Sequence, residues 1–562
     1  MRLRIFRDEP AFLAAATGAA ALPPSSAGPA LVAVAARSRR PPAFLRALAD
    51  LQSGARVTDL LALPALRVPA VAECSHFFRF AAARDPAHRY AFSARVPLAV
   101  TRYEDLQLLF LLRAAQAAQP DAEILAFADD DAFAVVLDAM FSGAVAAPAP
   151  PRPGLRAGGR RLRTLLRAAR ARTPQGAADV VLVTIGAPSA QGVDTYFGAL
   201  PATLAARAKV HTVYLTPGRV LALQNDATVH PVEAFLRPLQ DWDATLPGEP
   251  RPPAAADAHW LPAAEWLAAE ESAAGEPAMH ALYQRAFERM FAALKPQTVI
   301  YPLERRTWER HLVRAARAAG VRCCVGFQHS SITPRHLALK ADAALDPADE
   351  LPDRVVTCGT LTADWLRREG GALGAHVTAG AAVRAMPLDL PPPGPGVLVA
   401  ISSSRAEAWA LINATAAAAR AVNAPFIIRS HPTIPVDDLF AACDHPANVE
   451  LSRGKTLAED LSRVGAVVYS SSTVALEGMR YDRLPVYLDI GDVPAGDPLL
   501  GGEGFKRSAN DAATLTAQLQ ALFALPPAQR EREAALARDY ANRYLPEPTP
   551  AALSAMADAI LQ

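Results

Sequence analysis

Two short stretches of this chain carry residues suited to holding an anion. "IIRSHPTIP" (427–435) is an apolar run that ends in Arg429, His431 and Pro432. "VVYSSSTVALEGM" (467–479) is an apolar run that ends in Ser471, Ser472 and Thr473. Free backbone N–H groups at a strand-to-helix turn, with hydroxyls beside them, make a phosphate site. An arginine and a histidine at another strand end neutralise the charge, and Pro432 pins the exit from that strand. Plainer readings stand beside these. Ser and Thr are common N-caps, and a His-Pro pair fits a turn around a partly buried histidine. Glu477, about one turn into the helix after the serines, either accepts from ribose hydroxyls or stabilises that turn.

Carboxylates suited to general-base or nucleophilic work lie earlier in the chain. Glu304 in "YPLERRTWER" (301–310) and Asp194 in "GVDTYFGALP" (192–201) each follow an apolar strand. Glu304 either faces a cleft or pairs with Arg305 or Arg306. Asp194 either reaches the cleft or caps the helix that holds Tyr196 and Phe197. "GFQHSS" (326–331) places His329 and Ser330 at the next strand end, as further cleft residues. The acidic "AFADDDAF" (126–133) either holds Mg²⁺ beside a diphosphate or caps the following helix, and no metal is assigned to it. The chain has no Walker A loop, no G-x-G-x-x-G after a strand, no G-x-S-x-G and no H-E-x-x-H.

These residues need strands to position them. "DVVLVTIGA", "KVHTVYL", "QTVIYPLE", "VRCCVGFQH" and "DRVVTCG" are short apolar runs separated by helical segments, among them 193–208, 278–294, 307–319 and 361–369. After the proline-dense "AMPLDLPPPGPG" (385–396) the alternation restarts with "GVLVAISSS", "PFIIRSHP", "AVVYSSS" and "LPVYLDI". Proline this dense continues neither a helix nor a central strand. Strands alternating with helices indicate parallel α/β sheets. Two doubly wound, Rossmann-like domains are therefore expected, 1–385 and 386–562, hinged near 380–396. Helices 513–524 and 527–543 close the chain, either staying with the second domain or crossing back. The first 145 residues add strands at 2–6, 30–37 and 122–128, and 240–275 reads as a proline-rich, acidic connection.

A chain of 562 residues is long enough for two or more cores. With 57 basic and 56 acidic residues, its net charge of +1 gives no general attraction to nucleic acid. Five cysteines, with Cys323 and Cys324 adjacent, fit neither a disulfide framework nor metal-ligand spacing, and point to the cytoplasm. The N-terminus reads as a strand and a helix opening at "DEP" rather than as a signal peptide. One segment, 151–174, carries eight arginines and no acid, with Leu162, Leu165 and Leu166 on one helical face. It reads equally as a solvated linker helix or as an interfacial helix for an anionic membrane.

The His-Pro pair and the serine cluster resemble the HP and SS/ST motifs of bacterial sialyltransferases and of capsule and O-antigen Kdo transferases. The pairing of "ERRTWER" with "GFQHSS" is similar to that of a surface-carbohydrate biosynthesis family of GT-B type. The likeness covers about 180–490. It implies a GT-B fold, two Rossmann-like domains facing a central cleft, with acceptor on the N-terminal side and nucleotide on the C-terminal side. It implies a metal-independent, CMP-sugar-dependent glycosyltransferase that moves Kdo or a related ulosonic acid onto a surface polysaccharide or lipid-linked glycan. The CMP-sugar is then a substrate, and no cofactor is implied. His431, Pro432, Ser471, Ser472 and Thr473 would shape the phosphate site, and Asp194 or Glu304 would supply the carboxylate. The D/E-D/E-G motif of sialyltransferases has no counterpart here, which favours the Kdo branch. Alternatives are a UDP-sugar, GDP-sugar or CDP-glycerol donor, or a non-catalytic scaffold of a polysaccharide assembly. The expected place is the cytoplasm, at the inner face of its membrane.

Overall fold

The computed structural model describes residues 2–21, 30–35, 40–53, 57–84, 100–141, 155–172, 174, 176–185, 193–215, 226–245, 255–343, 346–384, 387–402, 404–492 and 494–562. Among them are three sheets, and every ladder between their strands is parallel.

The first sheet holds β1 (Arg2–Phe6), β2 (Ala30–Val34), β3 (Val57–Asp59) and β4 (Glu123–Phe127), in the order β1-β4-β2-β3. Side chains alternate between its faces, as the period of a strand requires. Val32, Val34, Leu125 and Phe127 join a buried cluster that also contains the core of the C-terminal half. Leu31, Ala33, Ile124 and Ala126 face the opposite way, into a cluster with Phe77, Phe110 and Phe133. That second face is closed from a distance. Trp260 and Trp266, fully buried, bring helix Leu261–Ala273 onto it. The stretch read as an acidic connection thus contains a packed helix. Residues 1–385, read from the sequence as one domain, carry two separate sheets.

The second sheet contains β5 (Val180–Thr184), β6 (Val210–Tyr214), β7 (Val229–Pro231), β8 (Thr298–Pro302), β9 (Cys323–Gln328), β10 (Arg354–Thr357) and β11 (Val377–Ala379), in the order β11-β10-β9-β8-β5-β6-β7. The third contains β12 (Gly396–Ala400), β13 (Phe426–Arg429), β14 (Val449–Leu451), β15 (Val464–Tyr469), β16 (Leu484–Leu488) and β17 (Arg507–Ala509), in the order β14-β13-β12-β15-β16-β17. β5, β8, β12 and β15 are buried along their whole length, which is why they read as continuous apolar runs. Strand order reverses between β5 and β8 in the second sheet and between β12 and β15 in the third. Such switch points open a crevice at the carboxyl ends of the strands.

Helix Pro527–Tyr544 packs on the third sheet, with Ala537, Ala541 and Tyr544 in its core. One more helix follows, Pro550–Leu561, which the sequence reading did not separate. Thr549 caps it, Pro550 opens it, and Leu553, Met556, Ala557 and Ile560 pack against β5, β9 and β10. The chain therefore ends on the second sheet. The Tyr544 hydroxyl accepts from Ile332 N–H at 2.8 Å, which ties the two halves together just before the crossing.

The helix expected over 193–208 is shorter, Leu200–Ala205. Gly198 sits at φ +53 with its Cα against the Val383 carbonyl, where a Cβ would lie 2.2 Å from that oxygen. The chain turns there before the helix starts at Leu200. All five cysteines are buried and unbridged. Among the described residues no helix is long and apolar enough to cross a membrane.

Candidate functional site

The C-terminal crevice is organised by a residue that the motifs did not flag. β13 and β15 both flank β12, so the two polar strand ends are separated by the end of a third. From that middle strand come Ser402 and, three residues into helix Arg405–Ala419, Glu407. Glu407 is 1% exposed. Its Oε2 accepts from the hydroxyls of Ser402 and Ser471, each at 2.7 Å, and its Oε1 accepts from Ser471 N–H at 3.1 Å. Two hydroxyls and a backbone N–H at a strand-to-helix turn are donors for an anion. Here the anion they hold is a carboxylate of the same chain. "SRAE" (404–407) carries the signal for this residue: Ser404 caps the helix and Glu407 stands at the capping-box position. Its side chain reaches across the crevice instead.

The other C-terminal residues take varied places. His431 accepts from Thr433 N–H on Nδ1, so its neutral ring carries the proton on Nε2. Burial lowers its pKa, and nearby Glu407 opposes that. Pro432 is exposed beside it. Arg429 donates to Asp460 at 2.7 Å and to Lys455 O at 3.1 Å, which holds one end of its guanidinium. Ser472 accepts from Val474 N–H at 3.4 Å, and Thr473 stands at the N-cap position without a side-chain cap bond. Glu477 is largely buried, which raises its pKa, with Arg480, Arg384 and Arg429 acting the other way.

The crevice of the second sheet gathers Glu304, His329 and Tyr196. After β8 the chain bends sharply, with Arg305 in the left-handed region at φ 62. Glu309 makes this bend possible. It is fully buried and accepts from the N–H groups of Glu304, Arg305 and Arg306 at 2.9–3.3 Å. Burial pushes its pKa up to about 8, with the charge of Glu304 adding to the rise and the N–H groups of Arg306 and Arg305 opposing it. Arg305 and Arg310, both buried, bond Asp346 and Glu350 behind the turn. Glu304 is thereby presented with Oε1 3.3 Å from His329 Nε2 and Oε2 2.5 Å from Arg306 Nε. Burial first, then Arg384 and Arg306, hold His329 down to about 3, so the contact with Glu304 joins a carboxylate to a neutral ring. Tyr196 meets the His329 ring edge-on at 4.7 Å. Ser330, half-buried, donates to Ser331 O at 3.4 Å.

Asp194 lies apart from this group in role. Its Oδ1 accepts from Tyr196 N–H at 2.7 Å, Phe197 N–H at 2.8 Å and the Thr184 hydroxyl at 3.3 Å, and only 5% of the residue is exposed. Through Oδ1 it holds the turn that carries Tyr196.

Two arginines, neither singled out by the sequence reading, span the halves. Arg335, in the loop after β9, pairs with Asp492 and lies 3.9 Å from Glu407. The approach depends on Gly496, where a Cβ would stand 2.6 Å from Arg335 Cζ and 2.9 Å from Ser471 Cβ. Arg384 stacks over the Tyr196 ring at 5.6 Å and also acts on Glu477. Nothing short of the folded chain juxtaposes these residues.

The acidic run caps and pairs. Asp130 accepts from Phe133 N–H, Asp129 binds Arg40, and Asp131 binds Arg7. Among the described residues no group of His, Cys, Asp and Glu could hold a metal.

Two Rossmann-ordered parallel sheets, a last helix returning across them and polar strand ends at both switch points define a two-crevice α/β protein on the GT-B plan. No family model and no curated protein matches the chain. Solved structures overlap part of it. They include the glycotransferase of kitacinnamycin (15% identity, 69% of this chain and 98% of that one, TM-score 0.40). MurG of Acinetobacter baumannii gives 14%, 69%, 99% and 0.40. UDP-GlcNAc 2-epimerase from Neisseria meningitidis bound to UDP-GlcNAc gives 10%, 68%, 99% and 0.42. At these scores they add nothing to what the sheets of this chain display.

Proposed function

We propose that the chain is a glycosyltransferase that uses a nucleotide-activated sugar, with a CMP-linked ulosonic acid such as Kdo as donor and a surface polysaccharide or lipid-linked glycan as acceptor. The observation that carries this reading is the pairing of Glu304 with neutral His329 at one switch point, opposite the anion-holding donors of Ser402 and Ser471 at the other. Glu304 is the carboxylate placed to take a proton from an acceptor hydroxyl or to attack the anomeric carbon. Asp194 supports it by holding the Tyr196 turn. On the donor side a monophosphate leaving group needs positive and hydrogen-bonding groups as charge develops. His431 Nε2–H, Arg335 and the Ser471 donors supply them, with Ser472, Thr473 and Glu477 along the same edge. The chemistry asks for no metal and no cofactor.

The test is thermal protection of the full chain by nucleotides, followed by a donor panel with mass detection of product. CMP is expected to protect more than UMP, GMP or UDP, and His431→Ala to abolish the effect. Protection by UDP and not CMP would make the donor a diphosphate sugar. Protection by none would favour a non-catalytic scaffold.

The arginine-rich helix, Leu155–Ala168, supports a place on an anionic bilayer. Arg160 binds Glu276 and Arg161 binds the carbonyls of Asp241 and Ala244, while Leu165 is buried. Leu162 and Leu166 remain 43% and 54% exposed, and on the segment that Arg161 grips, Leu239 is 98% and Trp242 57% exposed. Apolar side chains among arginines fit the headgroup boundary of a membrane.

A further inference from the structure

Arg384 stands between the two crevices without a carboxylate of its own. Arg306, Arg335, Arg429 and Arg480, which surround Glu304, Glu407 and Glu477, each pair with an acid: Glu304, Asp492, Asp460 and Glu547 in turn. Arg384 forms no ion pair and no hydrogen bond with any described residue. Its guanidinium lies 5.6 Å from the centre of the Tyr196 ring, and that ring meets His329 at 4.7 Å. Its charge acts on Tyr196 and His329, beside the second sheet, and on Glu477, beside the third. The fold fixes this place. Gly198, at φ +53, lets the Val383 carbonyl lie against the turn that carries Tyr196, and Ala382 N–H bonds Pro546 O at 3.0 Å. Both contacts hold the residues just before Arg384. His329 is 7% exposed, and neither of its ring nitrogens is in a hydrogen bond. An unmatched cation beside an unmatched buried ring is a place for a ligand.

We infer that Arg384 binds the carboxylate of the transferred sugar acid and so selects a charged ulosonic donor over a neutral sugar; the inference rests on the function proposed above. In such a donor the carboxylate is attached to the anomeric carbon, the same atom that bears the phosphate. With the phosphate at the switch point of the third sheet and the acceptor hydroxyl beside Glu304, the anomeric carbon lies between them. Its carboxylate then needs a cation in that gap, and Arg384 stands there with no described acid on it. A guanidinium offers five N–H donors in a planar fork that matches the two oxygens of a carboxylate, and the contact with the Tyr196 ring leaves that fork to a ligand. The acids nearby do not cancel it. Glu304 is paired with Arg306, and Glu477 lies in the field of Arg480 and Arg429 as well. The action of Arg384 on Glu477, on the donor side, favours the donor over an acidic acceptor. A neutral sugar would leave this arginine unmatched.

The experiment is calorimetric titration of the full chain with CMP and with CMP-Kdo, in wild type, Arg384→Gln and Arg384→Lys, with circular dichroism confirming the fold. Arg384 is exposed and bonds to no described residue, so both variants should fold. Wild type is expected to bind CMP-Kdo at least about tenfold more tightly than CMP. Arg384→Gln should bring that ratio to about one by weakening CMP-Kdo alone. Arg384→Lys, which keeps the charge and loses the fork, should fall between. CMP affinity should stay within about twofold of wild type in both, which a general disturbance of the crevice would not allow. Equal losses for CMP and CMP-Kdo would give Arg384 to the phosphate and overturn the assignment while leaving the donor reading intact. So would an unchanged ratio in Arg384→Gln, or a wild type that binds the two equally. Donor affinity kept with a raised KM for the acceptor would give Arg384 to an acidic acceptor and overturn the assignment too. A wild type that binds neither CMP nor CMP-Kdo overturns both readings.

Discussion

Ser471 donates twice to Glu407, from its hydroxyl to Oε2 at 2.7 Å and from its N–H to Oε1 at 3.1 Å. The same donors cannot hold a phosphate while they hold this carboxylate. A phosphate that takes these donors must displace Glu407 from them.

Glu407→Gln should therefore tighten CMP binding, by about tenfold in calorimetric titration, because a neutral amide neither repels the phosphate nor holds both serines as firmly. The same change should lower the melting temperature, since charge-assisted hydrogen bonds contribute about 1.5–3 kcal/mol each and this carboxylate accepts several. Weaker CMP binding in the folded variant would make Glu407 a ligand of the donor rather than its competitor.

Glu304→Gln is expected to lower kcat by about 10²–10⁴, the range of general-base catalysis, with KM little altered. Asp194→Asn, which keeps the shape of the cap, should act mainly on stability. Equal loss of kcat in the two variants, measured on the donor identified by the panel, would move the chemistry to Asp194.

Glu309→Ala should destabilise the fold by about 3 kcal/mol or more, because it leaves three backbone N–H groups without their buried acceptor, each costing about 1–3 kcal/mol. Glu309→Gln keeps one acceptor oxygen and should sit between. Chemical denaturation gives the difference directly. A near-neutral Ala variant would mean that the bend at Arg305 needs no support.

His329 should make a contribution to stability that is lost as the solution becomes acidic. Its folded pKa of about 3 lies below the ordinary histidine value, so the unfolded chain binds the extra proton. The contribution is fully present above about pH 6.5 and is lost progressively as pH falls toward 3, by at most about 1.4 kcal/mol per pH unit. His329→Gln should flatten the melting temperature between pH 4 and 6 relative to wild type. An unchanged slope would place the acid sensitivity in other groups.

Replacing Leu162, Leu166, Leu239 and Trp242 together by serine should abolish co-sedimentation with phosphatidylglycerol vesicles while leaving turnover of a water-soluble acceptor intact. Wild-type binding should weaken with added salt, as screening of the arginines requires. Equal sedimentation of the variant would assign the arginine-rich helix to its packing role alone.

The amino-acid sequence by itself determined the parallel α/β character of this protein. Continuous apolar runs such as "VVLVT" and "GAVVY" have to be buried on both faces, and their alternation with helices leaves few other arrangements. It also disclosed that polar residues gather where those strands end, at Glu304, His329, His431 and Ser471. What it left open was decided in three dimensions. Helix Leu261–Ala273 was hidden in a proline-rich, acidic surrounding, and its role became visible only once Trp260 and Trp266 were buried against the first sheet. The choice between cap and cleft for Asp194 hung on which N–H groups lay near it. Glu407 carries an ordinary capping pattern, and only the order of strands, with β12 between β13 and β15, brings it to Ser471. Local pattern records which residues are buried or turned, because burial follows periodicity. The meeting of side chains hundreds of residues apart follows from sheet order and closure of the halves, which no local period encodes.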